Sequence, residues 1–249
     1  MRKARGSSPL PPTIMEKIQV IYQDEYVLVV DKPAGLVVFP EDKYKEKTLI
    51  DYLIADFPDL KRVGNYPRYG IVHRLDKDTS GILLVAKNNE SLEFFQKQFQ
   101  NSQVEKKYLA LIVGNLKNKE GEIDTLIDRS PNNRKKQKVY LENEPESQKK
   151  NLRKALTKYR VITSFNGYDL VEVKPLTGRK HQIRVHLAYL NHPIANDKLY
   201  GFKNQACPKG LKRQFLHSSY LKIKLPNNKE KEFNSELPEE LKEVIKTLK

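Results

Sequence analysis

The sequence has a single cysteine, Cys207, among its 249 residues, and it has no long apolar run. One cysteine excludes an internal disulfide framework and fits a reducing compartment. No apolar stretch approaches the roughly 18 residues that a membrane-spanning helix needs. The N-terminus is basic but has no apolar core of the kind found in signal peptides. The sequence therefore predicts a soluble, cytoplasmic protein without a membrane partner, which we expect to be a monomer.

Motifs that bind metals or nucleotide cofactors are also missing. His181 and His186 are five residues apart, which is not the spacing that places two ligands on one helix face. Neither the phosphate-binding loop Gly-x-x-x-x-Gly-Lys-Ser/Thr nor the dinucleotide motif Gly-x-Gly-x-x-Gly occurs. The Gly-x-Ser-x-Gly elbow of serine hydrolases is absent as well. We therefore expect no metal and no nucleotide cofactor.

Acidic residues are outnumbered by basic ones, 31 to 46, which gives a net charge of +15. The excess is concentrated: residues 129–160 hold 11 basic and 3 acidic residues, and 174–184 and 198–213 hold no acidic residue. Focused positive charge attracts a polyanion such as a phosphate backbone. The pattern favours nucleic-acid binding, although charge that serves only solubility would look similar. The most polar part, 129–153, is predicted to be an exposed loop that either clamps RNA or is a solvated insertion.

Short apolar strands alternate irregularly with amphipathic helices along the chain. Strands are predicted at 18–22, 26–30, 71–72, 82–86, 106–113, 155–162, 168–173 and 216–225. Helices are predicted at 48–57, 90–100, 179–190 and 237–248. Because the strands come mainly as hairpins without regular βαβ units, we expect an α+β fold with a mixed, largely antiparallel sheet flanked by helices.

The charged residues between the apolar runs 71–72 and 82–86 are the first candidates for a site. Asp76 lies two residues after Arg74, and a carboxylate on a rigid strand end is a common way to position a reactive group. A solvated ionic turn fits the same residues. The predicted helix at 179–190 carries Arg179 and Arg184 near its N-terminus, which suits an anion. Tyr108, on an apolar strand, either packs against an extruded base or belongs to the core.

Several long motifs resemble those of the RluA family of pseudouridine synthases. They are Lys-Pro-Ala-Gly-Leu-Val-Val at 32–38, His-Arg-Leu-Asp at 73–76, Thr-Ser-Gly at 79–81, Lys-Lys-Tyr-Leu-Ala at 106–110, and Pro-Leu-Thr-Gly-Arg-Lys-His-Gln-Ile-Arg-Val-His-Leu at 175–187. His-Pro-Ile at 192–194, Asp197, Tyr-Gly at 200–201 and Leu-His at 216–217 continue the resemblance. It covers about residues 18–225 and is specific, because independent motifs occur in the same order.

The resemblance implies an enzyme that isomerises uridine to pseudouridine in structured RNA without a cofactor. It places Asp76 at the catalytic aspartate, Tyr108 at the tyrosine that stacks on the target base, and Arg184 at the basic partner of the aspartate. Arg74 falls on the arginine associated with displacing the base, and Ile183 provides an apolar wall. Asp76 either attacks C1′ or removes the 2′ proton. The implied fold is a sheet in two halves with a central catalytic cleft.

The resemblance also sets expectations for organisation and substrate. We expect a flexible basic arm at 1–15 and a single bipartite catalytic domain at 16–249, the short family form without an N-terminal S4 domain. Asn191 and Asn196 stand where the family has glycine, and asparagine is the residue that best replaces glycine at positive φ. Large-subunit ribosomal RNA is the first expected substrate and transfer RNA the second. The rival interpretations are an RNA-binding assembly factor that lost its chemistry and a metal-dependent nuclease.

Overall fold

A computed structural model describes residues 18–40, 44–142, 152–205 and 207–248. The strands of this part of the chain are β1 (Gln19–Gln23), β2 (Val27–Lys32), β3 (Ser80–Ala86), β4 (Glu105–Val113), β5 (Glu120–Arg129), β6 (Gln137–Tyr140), β7 (Arg153–Phe165), β8 (Tyr168–Pro175), β9 (Leu216–Lys224) and β10 (Glu230–Asn234). The helices are α1 (Leu49–Asp56), α2 (Asn89–Gln100), α3 (Gln182–Tyr189) and α4 (Glu239–Lys246), with a 3₁₀ helix at Pro58–Arg62. None of the described helices is long and apolar enough to cross a membrane. The predicted arm at 1–15 lies outside the described residues.

All the strands join one sheet in the order β1-β2-β3-β9-β4-β8-β7-β5-β6, and β10 pairs with β9. Every named pair is antiparallel except β3 with β9, which is parallel. The prediction of an α+β fold with a mixed, largely antiparallel sheet is therefore confirmed.

The parallel pair β3–β9 is a narrow seam between the two halves of the sheet. Only Ser80 with His217 and Gly81 with Ser218 are paired across it. Gly81 has a φ of +109°, and a Cβ there would lie 2.2 Å from the carbonyl oxygen of Ser218. The backbones thus approach more closely than any side chain at this position would allow.

Strands β2 and β3 are buried on both faces, which explains their continuous apolar sequences. Leu28 and Val30 pack in the larger core, which includes residues of α1, α3 and α4. Val27 and Val29 point to the opposite face and pack with Leu92 and Phe95 of α2. The strands predicted at 26–30 and 82–86 are therefore confirmed as β2 and β3.

Two predicted elements differ from the structure. Ile71 forms only an isolated bridge with Val85, because its N–H bonds Arg68 in a turn and the chain then leaves the sheet. Helix α3 begins at Gln182 instead of Arg179. Strands β5 and β10 were not predicted; both lie at the margins of the sheet and carry many charged residues.

The predicted loop at 129–153 is partly a hairpin. Residues 137–140 form β6, which pairs with β5, and Tyr140 is buried. The prediction of an exposed loop is therefore wrong for these residues, since β5 supplies a pairing edge that was not recognised in the sequence. Residues 143–151 lie outside the described part of the chain.

The two asparagines that replace glycine both have positive φ, +62° at Asn191 and +56° at Asn196. We expect Asn191→Ala to lower the free energy of unfolding by about 1 kcal/mol, because a Cβ disfavours the left-handed region and alanine lacks the compensating amide. Asn191→Gly should leave it nearly unchanged. Chemical denaturation of both variants checks this, and equal losses in the two would show that the side chain, not the backbone, matters at this turn.

Candidate active site

The carboxylate of Asp76 faces α3 across a cleft between the 74–79 loop and that helix. Arg184 of α3 donates from Nη1 to Oδ2 of Asp76 at 2.7 Å. Nε2 of His181 lies 3.7 Å from the other carboxylate oxygen. The Asp76 side chain keeps 23% of its surface exposed, so a substrate in the cleft can reach it. The two motifs that carry Asp76 and Arg184 thus meet as the resemblance implied.

Arg184 is held rigidly from behind by Asp197. Its Nε and Nη2 donate to the two carboxylate oxygens of Asp197 at 2.7 and 2.8 Å. The backbone N–H groups of Leu199 and Tyr200 also donate to Asp197. Burial opposes both charges, but the hydrogen bonds and ion pairing outweigh it, so the pKa of Arg184 is raised and that of Asp197 is lowered. A bidentate pair of this kind fixes the guanidinium plane and therefore the Nη1 that meets Asp76.

Asp197 belongs to one of the motifs that carry the resemblance, but it was not predicted to belong to the site. Its side chain is completely buried, and a buried arginine needs an acidic partner. The sequence signal was weak: an acidic residue directly before the basic segment 198–213. Nothing in the spacing indicates that Asp197, and not another acidic residue, pairs with Arg184.

The backbone of the Asp76 loop is tied to the 32–38 motif. Lys32 is fully buried and donates from Nζ to the carbonyls of Pro33, Leu36 and Lys77. Gly35, at a φ of +84°, donates its N–H to the same Lys77 carbonyl. Burial, aided by the charge of nearby Arg213, lowers the pKa of Lys32 to about 7. The motif therefore fixes the backbone of the residue next to Asp76.

The hydroxyls of Thr79 and Ser80 bond side chains of a segment that is distant in the sequence. Gln214 donates from Nε2 to Thr79 Oγ1 at 2.9 Å, and Arg213 donates from Nη2 to Ser80 Oγ at 2.8 Å. Arg213 also donates to the carbonyl of Asp78. The loop is therefore braced from a segment more than a hundred residues away, a contact that local sequence does not reveal. Asp78 contributes a backbone contact, consistent with a turn residue.

His73, the first residue of the 73–76 motif, lies beside the part of β3 that is not paired with β9. Its Nε2 accepts the N–H of Leu84 at 3.1 Å, where β3 has no strand partner on that side within the described residues. The ring stacks on Phe99 of α2 at 4.6 Å. Burial and the charge of Lys106 lower the pKa of His73 to about 3, so the ring is neutral and anchors the loop.

All five residues predicted for the site line the same cleft. The lining also includes Leu75, Thr79, Lys106, Pro175, Thr177, Gly178, Arg179, His181, Gln182 and Leu216 beside Arg74, Asp76, Tyr108, Ile183 and Arg184. Burial raises the pKa of Tyr108 to about 12, so its hydroxyl stays protonated. The guanidinium of Arg74 lies over the ring of Phe39 at 5.1 Å. The structure thus places these residues together, while their individual roles remain predictions.

The start of α3 differs from the predicted anion site. Thr177 donates to Gln182 Oε1 and does not cap the helix, and Arg179 donates from Nε to the carbonyl of Lys154. The residue before the helix is His181, in the left-handed conformation with a φ of +55°. Its Nδ1 lies 3.0 Å from the hydroxyl of Tyr200. Burial lowers the pKa of His181 against the opposing effect of Asp76.

The second histidine of that motif has a structural environment. His186 is fully buried, with Nδ1 2.9 Å from the Thr157 hydroxyl and Nε2 3.0 Å from the Thr125 hydroxyl. Burial lowers its pKa to about 4. It therefore ties α3 to β5 and β7 and takes no part in the cleft.

Comparisons with known proteins agree with this geometry. The family model for RNA pseudouridylate synthase matches residues 26–189. Ribosomal large subunit pseudouridine synthase D of Borreliella burgdorferi is 41% identical over 223 residues, 89% of this chain and 65% of that protein. An RNA pseudouridine synthase of Aquifex aeolicus is 43% identical over 196 residues, 78% of this chain and 59% of that protein. The chain thus spans less than two thirds of the length of these two relatives.

A solved structure has the same fold. Human RNA pseudouridylate synthase domain containing 1 superposes with a TM-score of 0.74 at 28% identity, covering 92% of this chain and 87% of that one. The family model includes the Asp76 loop, Tyr108 and Arg184. The resemblance to the RluA family is therefore confirmed, and the chain belongs to the RNA pseudouridylate synthase family.

Proposed function

We propose that the chain isomerises specific uridines to pseudouridine in structured RNA, with Asp76 as nucleophile or base. The observation that carries the proposal is the 2.7 Å contact of the partly exposed Asp76 with Arg184, which Asp197 in turn holds. A protein that only binds RNA gains nothing from a buried cation fixed against one reachable carboxylate. A reachable carboxylate that is held against a buried cation in a cleft is typical of reactive sites.

The reaction rearranges one bond without oxidation or net hydrolysis. The C1′–N1 bond breaks, a C1′–C5 bond forms, and the proton lost from C5 is balanced by one gained at N1. Asp76 either attacks C1′ to form an ester or removes the 2′ proton to form a glycal. In both routes the detached uracil has to turn within the cleft before it is reattached, so it has to be kept from solvent.

The other predicted residues have matching tasks in this proposal. The target nucleotide leaves its stack, at a cost of a few kcal/mol, and the Tyr108 ring receives the base. Ile183 closes the apolar side of the cleft. Arg74, over the Phe39 ring at the cleft mouth, occupies the space that the base leaves in the RNA.

Large-subunit ribosomal RNA is the substrate that we favour, and transfer RNA is the second candidate. Support comes from the name of the Borreliella burgdorferi relative and from the concentrated basic segments, which suit a folded polyanion. The described basic residues at 129–138 lie in the β5–β6 hairpin. The Gln137 N–H of this hairpin donates to the Tyr200 hydroxyl, which also lies 3.0 Å from Nδ1 of the cleft residue His181.

Pseudouridine maps of cellular RNA test the function. We expect one or a few uridines of large-subunit ribosomal RNA to lose the modification when the gene is deleted and to regain it when the wild-type chain is supplied. The transfer RNA fraction, mapped in parallel, separates the two substrate classes. Identical maps with and without the gene would refute the proposed activity.

A further inference from the structure

Lys106 is a buried cation that lines the cleft, and the mechanism proposed above gives it no role. Its side chain lies on β4 two residues before Tyr108, on the same face of the strand, and only 8% of the residue is exposed. The ammonium has no ion pair or hydrogen bond with any residue that the structure describes. It lies over the face of the Phe99 ring, 5.6 Å from the ring centroid. A buried charge without an anion is costly, so it is seldom kept without a function.

The other buried cations around Asp76 are already satisfied. Arg184 is bonded to Asp76 and Asp197, and Lys32 is bonded to three backbone carbonyls. Lys106 differs because its donors face the cleft beside Gly178. A Cβ atom added at residue 178 would still lie 4.0 Å from the Nζ of Lys106. The missing side chain at Gly178 leaves room above the ammonium for a ligand atom.

The charge of Lys106 is present under physiological conditions. Burial lowers its pKa to about 8, which keeps the group mainly protonated at neutral pH. The ammonium therefore offers three hydrogen-bond donors and a full positive charge in a poorly solvated place. Such a group interacts most strongly with an anion that develops inside the cleft.

We propose that Lys106 stabilises the uracil anion that forms when the C1′–N1 bond breaks, which rests on the proposed function. The electron pair of that bond moves onto the base, and the negative charge spreads over N1 and the two carbonyl oxygens. With the base stacked on Tyr108, a carbonyl edge meets the ammonium, which donates a hydrogen bond and retains its proton. When C5 attacks C1′ the charge leaves the base, so Lys106 acts on the intermediate more than on bound uridine.

The test compares Lys106→Met with wild type on two RNAs that differ only in the target base, uridine or 5-fluorouridine. Methionine preserves the length and fills the space without charge. Fluorine withdraws electrons and stabilises the departing anion, so the enzyme needs less help from the ammonium. Single-turnover loss of the target nucleoside, measured by mass spectrometry of nuclease digests, reports cleavage of the C1′–N1 bond for both RNAs.

We expect Lys106→Met to slow cleavage of the uridine RNA by about 100-fold, the effect of removing one preorganised donor to a developing anion. The loss on 5-fluorouridine RNA should be about tenfold smaller, and RNA affinity should not change. The matched control is Lys107→Met, on the opposite face of β4, which should cleave both RNAs at the wild-type rate. The melting temperature of Lys106→Met should equal or exceed that of wild type, because a buried charge has been removed.

Three results would overturn the role of Lys106: an unchanged rate, equal losses on both RNAs, or a loss of affinity alone, which would indicate a phosphate contact. If Lys106→Met does not fold, Lys106→Gln decides by the same comparison. Wild type that modifies no uridine in any RNA would refute the proposed function, whereas active wild type with equal losses refutes only this inference.

Discussion

Asp76→Asn is expected to abolish isomerisation, with a fall in rate of at least about 10⁴-fold, and to leave RNA binding nearly intact. The amide has almost the same shape as the carboxylate, and its oxygen can still accept the Arg184 hydrogen bond. It can neither form an ester with C1′ nor remove a proton from the sugar. The variant therefore removes the chemistry while it preserves the contact that holds the cleft together.

Tritium release from RNA labelled at uridine C5 measures the reaction, and a filter-binding assay measures affinity. Asp78→Asn is the matched control, since it changes the same loop two residues further on, where the backbone carbonyl accepts the hydrogen bond from Arg213. It should retain most of the wild-type rate. Normal tritium release from Asp76→Asn would place the reactive group elsewhere. Lost activity with an equal loss of affinity would indicate a docking role and would favour the RNA-binding interpretation over the enzyme.

The elements near the site were predictable because their sequence patterns have one physical explanation. A continuous apolar run such as 27–30 fits a strand that is buried on both faces, and Asn166-Gly167 fits the turn between β7 and β8. Strands β5 and β10 were missed because each mixes charged residues with few apolar ones. Strands of this kind depend on a neighbouring strand for pairing, and their own sequence does not indicate which strand that is.

For the site, only the residues that lie in recognised motifs could be predicted from the sequence. Asp76 and Arg184 are 108 residues apart, and the resemblance, not periodicity, brought them together. The sequence did not predict contacts of residues to which the resemblance assigns no role. Examples are the pairing of Asp197 with Arg184 and the hydrogen bond from Arg213 to Ser80. Burial decides which acidic and basic groups must pair, and burial is a property of the folded chain.

Asp197→Asn is expected to lower the free energy of unfolding by about 3–5 kcal/mol, because it leaves a buried arginine with one carboxylate partner. The amide oxygen can accept from a single guanidinium nitrogen, while its NH₂ group meets the second donor. Activity should fall as well, since Arg184 no longer holds its Nη1 against Asp76. Urea denaturation at neutral pH and the tritium assay measure the two effects separately.

The double variant Asp197→Asn/Arg184→Met distinguishes two causes of the stability loss: the missing ion pair and the buried guanidinium that is left without its partner. Methionine removes the unpaired guanidinium, so we expect part of the stability to return while activity stays low.

The pKa of Asp197 is lowered in the folded state. Its stabilising contribution is therefore present above the pKa of the unfolded state and is lost only as the pH falls through the pKa of the folded state. The stability gap between wild type and Asp197→Asn should therefore be constant from about pH 5 to 8. A gap below about 1 kcal/mol, the worth of an exposed pair, would contradict the proposal that Asp197 supports the charge of Arg184.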